Sequence, residues 1–163
     1  MKRIDLSTGP REDAVARFRI SCRAIVYHDG KILLSFETNT GVRSLPGGGI
    51  DEGETPAECC LREVEEETGY LVADPVPCIA IHEYLYDFLL VQQYFICRLV
   101  GNGRQNLTDD EAENGMMAEW MPAEDVLAFF DAHAADPACE RHFVYQREAI
   151  ALREALRTIR ARS

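Results

Sequence analysis

The stretch from Thr55 to Gly69 constrains this chain more than any other, because both ends of a helix are written into it. Thr55-Pro56-Ala57-Glu58 is a capping box, in which the threonine hydroxyl and the glutamate carboxylate each satisfy a free backbone N–H. Its proline stands at the first helical position, where no N–H is needed, and Thr68-Gly69 is the matching stop. Between them Ala57, Cys60, Leu61 and Val64 recur at helical spacing, so a helix over about 56 to 68 is expected to bury one face. Glu63, Glu66 and Glu67 stand at i, i+3 and i+4 and share another face, centred roughly 120° around the axis from the Ala57, Leu61, Val64 side. Like charges on adjacent turns cost stability, so the arrangement is either a solvated acidic surface or a site for a divalent cation. Just upstream, Pro46-Gly47-Gly48-Gly49 can bring a backbone carbonyl against those carboxylates with no side chain in the way, which favours the cation.

The flanking sequence supplies strands. Ile20, Ala24, Ile25 and Val26 precede Asp29-Gly30, and Ile32, Leu33, Leu34 and Phe36 follow it, the pattern of a hairpin closed by a type I′ turn. Strand-like runs cover about 78 to 86 and 91 to 100, broken at Asp87, and a polar loop runs from Gly101 to Gly115. Met116 to Met121 reads as a short strand carrying the only tryptophan, Trp120; a helix opens at Pro122-Ala123 and runs to about Ala132. A final helix over about 141 to 161 sets Ala149, Leu152, Leu156 and Ile159 on one seam. Arg147, Arg153, Arg157, Arg160 and Arg162 lie mostly elsewhere, which implies a packing helix with a basic exterior. That helix counterbalances the segment from 109 to 140, which holds ten acidic residues and no lysine or arginine. The expectation is one α/β domain with mixed or antiparallel strands over residues 1–163, its core at about 20–132.

Composition narrows the partners. With 163 residues the chain can bury a core without disulfides or a structural metal. Its six cysteines, Cys22, Cys59, Cys60, Cys78, Cys97 and Cys139, form no C-x-x-C pair and read as reduced core or surface residues of a cytoplasmic protein. No run approaches the ~18 apolar residues of a membrane span. A net charge of −11, from 17 lysines and arginines against 28 aspartates and glutamates, disfavours nucleic acid and anionic membranes. The histidines, His28, His82, His133 and His142, share no metal-ligand spacing.

From Gly48 the chain reads Gly48, five residues, Glu54, seven residues, then Arg62-Glu63-Val64-Glu65-Glu66-Glu67-Thr68-Gly69-Tyr70. This resembles the Nudix box, G-x5-E-x7-R-E-U-x-E-E-x-G-U with U bulky and apolar, and every specified position is met. The hairpin before it and the Glu119-Trp120 strand after it also look Nudix-like, so the resemblance spans about 20 to 132. It implies an α/β/α sandwich around a mixed sheet, here with an added C-terminal helix, and a hydrolase of nucleoside diphosphates linked to another group X. By the same likeness Glu63, Glu66, Glu67 and the Gly47 carbonyl would hold Mg²⁺ or Mn²⁺, with Arg62 and Glu54 supporting them. The general base would be a box glutamate or a loop acid before the tryptophan strand; of Glu111 and Glu113, Glu113 is expected because it stands nearer Trp120.

Substrate signals outside the box are weaker. Tyr86, sixteen residues after Tyr70, resembles a base-stacking tyrosine of dinucleoside polyphosphate hydrolases, yet Tyr84, Tyr86 and Phe88 also alternate as any aromatic strand face would. Arg43, three before Pro46, can grip a phosphate or a base, or lie on a surface loop. The proline that marks ADP-ribose hydrolases and the full coenzyme A signature are both missing. The expected substrate is a nucleoside triphosphate or related small nucleotide, with dinucleoside polyphosphates and nucleotide sugars as alternatives. A non-catalytic nucleotide-binding domain or an acidic interaction module remains open, as does a homodimer.

Overall fold

The computed structural model describes residues 1–11 and 15–162. Its strands are β1 (Lys2–Arg11), β2 (Arg17–His28), β3 (Lys31–Glu37), β4 (Arg43–Ser44), β5 (Gly47–Gly49), β6 (Tyr70–Tyr86), β7 (Phe88–Asn102) and β8 (Met116–Pro122). Its helices are α1 (Pro56–Thr68), α2 (Asp109–Glu113), α3 (Ala123–Ala134) and α4 (His142–Arg160). The strands join in the order β1-β6-β7-β2-β3-β4, with β5 added on β2 and β8 on β3. β1 runs parallel to β6 and β2 parallel to β7, while the other pairings are antiparallel, so the sheet is mixed as expected.

Asp29 and Gly30 take φ values of 47° and 78° and close the β2–β3 hairpin with Tyr27 opposite Ile32, the turn that Asp-Gly is suited to. Because strand side chains alternate, β2 serves both faces of the sheet. Cys22, Ala24 and Val26 meet Cys59, Cys60 and Val64 of α1 on one side. Ile25 lies in the opposite core with Ile79, Ile81, Phe130 and Leu152, under α3 and α4. The result is the α/β/α sandwich. The cysteines at 22, 59, 60 and 97 are buried core residues and all six are free thiols.

The structure differs from the sequence reading in several places. β1 was not expected, since its short Ile4, Leu6 alternation is hidden among charged residues; it forms because β6 leaves an edge that it can pair with over Lys2–Ser7. β6 and β7 extend well beyond the expected runs, and the irregular stretch around Pro75 and Pro77 is absorbed by register shifts between Ala73 and Val76 and between Pro77 and Ile79. The polar loop contains α2, opened by a second capping box, Thr108 with Glu111. On α1 the buried positions are Cys59, Cys60, Val64, Glu67 and Thr68, so Glu67 belongs to the packed side, while Ala57 and Leu61 are only half-buried. The basic exterior of α4 is also corrected. Arg153 and Arg160 pair outward with Asp131 and Glu124 of α3, but Arg147 is 7% exposed and donates to Glu83 of β6 at 2.5 Å.

Leu152 is fully buried between α4 and the sheet. Leu152→Ala is expected to lower stability by about 2–5 kcal/mol, through lost burial and the cavity left behind. Denaturant unfolding measures this, and a loss under about 1 kcal/mol would show that α4 is not part of the cooperative core.

Candidate active site

The loop before α1 and the first half of β2 enclose a cleft of about 920 Å³. Its wall carries Gly47, Arg62, Glu63, Glu66 and Glu67 together, with Thr108 and Glu111 of the α2 segment closing it. Backbone geometry explains how loop and helix come this close. Gly47 has φ 149°, and a Cβ there would lie 2.1 Å from the Cys22 carbonyl oxygen, so only glycine lets β5 pair against β2 here. At Gly48 a Cβ would stand 2.6 Å from the Glu63 carboxylate, so the bare loop leaves the space that this carboxylate occupies.

Arg62 organises the wall. It donates through Nε and Nη2 to both oxygens of Glu54, at 2.8 and 3.0 Å, and through Nη1 to Glu63 and Glu66, at 2.9 and 2.8 Å. Nη2 also reaches the Gly49 carbonyl at 3.2 Å, which ties helix to loop. The fork-to-fork partner is therefore Glu54, whose carboxyl pKa is lowered chiefly by the Arg62 hydrogen bonds. Glu67 is different. Its Oε2 accepts from Ser35 of β3 at 2.5 Å and from the Gly47 N–H at 3.2 Å, and burial pushes its pKa up to about 8 against those bonds and the Arg23 charge. Burial likewise raises Glu63, opposed by Arg62 and assisted by the charges of Glu66 and Glu111.

The donor set is one of hard oxygens, the type that Mg²⁺ and Mn²⁺ take. As placed, no three His, Cys, Asp or Glu side chains among the described residues stand close enough together to enclose a metal ion. The contacts above give the reason: Arg62 holds Glu63 and Glu66, and Ser35 and Gly47 hold Glu67. A cation fits this wall by chemistry and by charge, since two of the three carboxylates are burdened by burial that a cation would relieve.

Other expected site residues are placed elsewhere. Arg43 forms a bidentate pair with Glu119, at 2.6 and 3.1 Å, and its guanidinium lies 4.0 Å over the Phe36 ring, so it is engaged away from the cleft. Tyr86 sits at the tip of the β6–β7 hairpin, 53% exposed at a positive φ of 52°, because the chain turns sharply at Asp87; it neither lines the cleft nor packs on a strand face as Tyr84 does. Glu113 ends α2 with an exposed side chain, its carbonyl taken by Asn39 at 2.7 Å. Two residues earlier on that turn, Glu111 lines the cleft while its carboxylate caps the Thr108 N–H at 2.8 Å. The loop acid brought to the site is thus Glu111.

Sequence reading missed a second set. The cleft continues into a side pocket of about 420 Å³ lined by Arg23, Glu67, Glu111, Arg141 and Arg147, among others. Glu148 of α4, fully buried, accepts from the Leu45 N–H at 2.9 Å and from the Tyr94 hydroxyl at 3.1 Å, and stands 3.5 Å from Arg23 Nε. Arg23 in turn donates to the Leu45 carbonyl at 2.6 Å. Its alternation with Ile25 on β2 was the available signal, since it put an arginine on a core face.

Glu67 yields a pH prediction. Its folded pKa lies above the unfolded carboxylate value, so between about 4.3 and 8 the folded state binds the extra proton and stability falls as pH rises. In EDTA, Glu67→Gln is expected to raise Tm at pH 8.5 by a few degrees, as about 1–2 kcal/mol would in a chain of this size, with less effect at pH 5. Equal shifts at both pH values would contradict the assignment.

A model of the NUDIX domain matches residues 17–143. Nudix hydrolase 6 of Arabidopsis thaliana is 38% identical over 90 residues, which is 54% of this chain and 31% of that protein, so this chain spans about a third of that relative's length. A MutT NUDIX hydrolase from Burkholderia pseudomallei superposes with a TM-score of 0.58 over 84% of this chain and 97% of that one, at 21% identity. A structure described as an ADP compounds hydrolase gives 0.64 over 89% of this chain and 75% of its own, at 18% identity. At such identities the two structures show the fold alone. The family match runs from the start of β2 into α4, and the chain belongs to the NUDIX family.

Proposed function

We propose that this chain is a metal-dependent pyrophosphohydrolase that cleaves the diphosphate linkage of a nucleoside diphosphate joined to a group X. The observation that carries this reading is the gathering of Glu63, Glu66, Glu67 and Gly47 on one wall of a cleft large enough for a nucleotide. The fitting substrate is a nucleoside triphosphate or related small nucleotide. Dinucleoside polyphosphates and nucleotide sugars remain in the panel, joined by ADP compounds, after the described activity of one structural neighbour.

When bound by the three glutamates and the Gly47 carbonyl, Mg²⁺ or Mn²⁺ supplies charge neutralisation at the phosphates and lowers the pKa of a water. The chain's own residues do the rest. Arg62 fixes the Glu63 and Glu66 carboxylates against the loop through its Glu54 fork. Glu111 lines the same cleft and accepts the proton of the water that attacks phosphorus, while the bridging P–O bond breaks and its electrons leave with the departing phosphate. The exposed ring of Phe18, with Ile20 and Ile50, offers an apolar shelf at the mouth for a base.

The test is phosphate release with Mg²⁺ or Mn²⁺ over that panel. Metal-dependent turnover is expected, lost in Glu66→Gln and in Glu67→Gln. No turnover with nucleotide still bound would identify a binding domain instead. For the base, Glu111→Gln is expected to lower kcat by about 100-fold or more, a larger loss than in Glu113→Gln. The reverse order would return the role to Glu113.

A further inference from the structure

We infer that Arg23 is a phosphate-contacting residue at the junction of the cleft and its side pocket, and that Glu148 of the C-terminal helix is its positioning residue. The inference rests on the diphosphate-hydrolase reading above and names the groups that receive the anionic part of such a substrate.

Position comes first. Arg23, Gly47, Glu67, Thr108 and Glu111 line both cavities, and Arg23 is the cation among these five. A diphosphate held beside Glu67 with its two ends in the two cavities therefore passes Arg23.

Availability comes second. The other cations of the walls are committed or peripheral: Arg62 is shared among Glu54, Glu63, Glu66 and the Gly49 carbonyl, and Arg147 is paired with Glu83. Arg19 and Arg141 are exposed at the margins. Arg23 donates Nη1 to the Leu45 carbonyl, but its approach to Glu148, at 3.5 Å, is a charge contact without a hydrogen bond. Its Nη2 carries no hydrogen bond among the described residues, so the guanidinium keeps donor capacity for a phosphate oxygen.

Preorganisation comes third. The Arg23 side chain is 16% exposed and Glu148 is fully buried. Burial alone would weaken the Arg23 charge, but the facing Glu148 carboxylate more than offsets it and keeps the guanidinium charged. Glu148 grips the Leu45 N–H and Arg23 grips the Leu45 carbonyl, so the residue before Pro46-Gly47 is clamped on one side by α4, 103 residues downstream, and on the other by β2. A guanidinium held this way needs no reorganisation to meet charge developing on phosphate.

The competing role is structural: a buried ion pair that only braces the loop. Removing one partner would strand a charge and destabilise the fold, so single neutral variants do not separate the two roles. Removing both charges does. Arg23→Gln/Glu148→Gln leaves amides that can still serve Leu45, and its folding is followed by thermal unfolding. The second measurement is calorimetric affinity, in Ca²⁺, for a methylene-bridged, non-hydrolysable analogue of the substrate that wild type turns over best, beside affinity for the matching nucleoside. The double variant is expected to fold, to lose about 30-fold or more in analogue affinity and a similar factor in kcat/KM, and to bind the nucleoside unchanged.

Analogue affinity and kcat/KM within about 3-fold of wild type would overturn the phosphate role and leave a brace. If the double variant does not fold, Arg23→Lys decides, because an ammonium keeps the charge but has a single nitrogen in place of the fork whose separate nitrogens face Leu45, Glu148 and the phosphate. A loss of about 10-fold in analogue affinity supports the proposal, and undiminished affinity overturns it. A wild type that neither turns over nor binds any compound of the panel refutes the hydrolase reading itself, a result distinct from an active wild type matched by its variants.

Discussion

One guanidinium, that of Arg62, joins the glycine loop to the helix on which the site depends. Its nitrogens reach Glu54 before the helix, Glu63 and Glu66 on it, and the Gly49 carbonyl across from it. Three carboxylates on one side of a short helix repel one another, and a single exposed ion pair, worth about 0–1 kcal/mol, would not hold them. A shared, half-buried cation holds Glu63 and Glu66, because each contact is charge-assisted and the planar fork fixes direction as well as distance, while Ser35 and the Gly47 N–H hold Glu67. The loop can accept that geometry only because Gly47 and Gly48 present no side chain to β2 and to Glu63.

The sheet adds a second level of organisation beneath this wall. Alternation along β2 sends Cys22, Ala24 and Val26 toward α1 and sends Ile25 toward α3 and α4. Arg23 shares the side of Ile25, and the same side of β6 and β7 carries Glu83 and Tyr94, which meet Arg147 and Glu148. Where the N-terminal part of α4 covers the sheet, the core thus turns from aliphatic to ionic. That change puts two buried acid–base pairs directly behind the cleft, so the C-terminal helix packs on the core at one end and on the site's foundations at the other.

Legibility followed the range of the interactions. The hairpin turn, the limits of α1 and the glutamate face were readable because each depends on residues within about four positions of one another. Edge pairing of β1 on β6 was not, since a strand of mixed polarity forms only when a partner offers an open edge. The choice between Glu111 and Glu113 turned on α2, a single capped turn inside a polar loop, which rotates one acid into the cleft and the other into solvent. Arg43 and Tyr86 had the right chemistry for substrate contact, but the Glu119 fork and the hairpin tip took them elsewhere.

The family signature, the helix that carries it and the oxygen chemistry of its face are legible along the chain, because spacing within one helix is a local property. Tertiary structure alone decided that Glu67 is buried while Glu66 stays half-open, that Arg147 turns inward, and that Glu148 reaches Leu45 and Arg23. Those outcomes depend on which surfaces meet across the sheet. An isolated charged residue in a helical pattern carries no mark of the buried partner that will neutralise it.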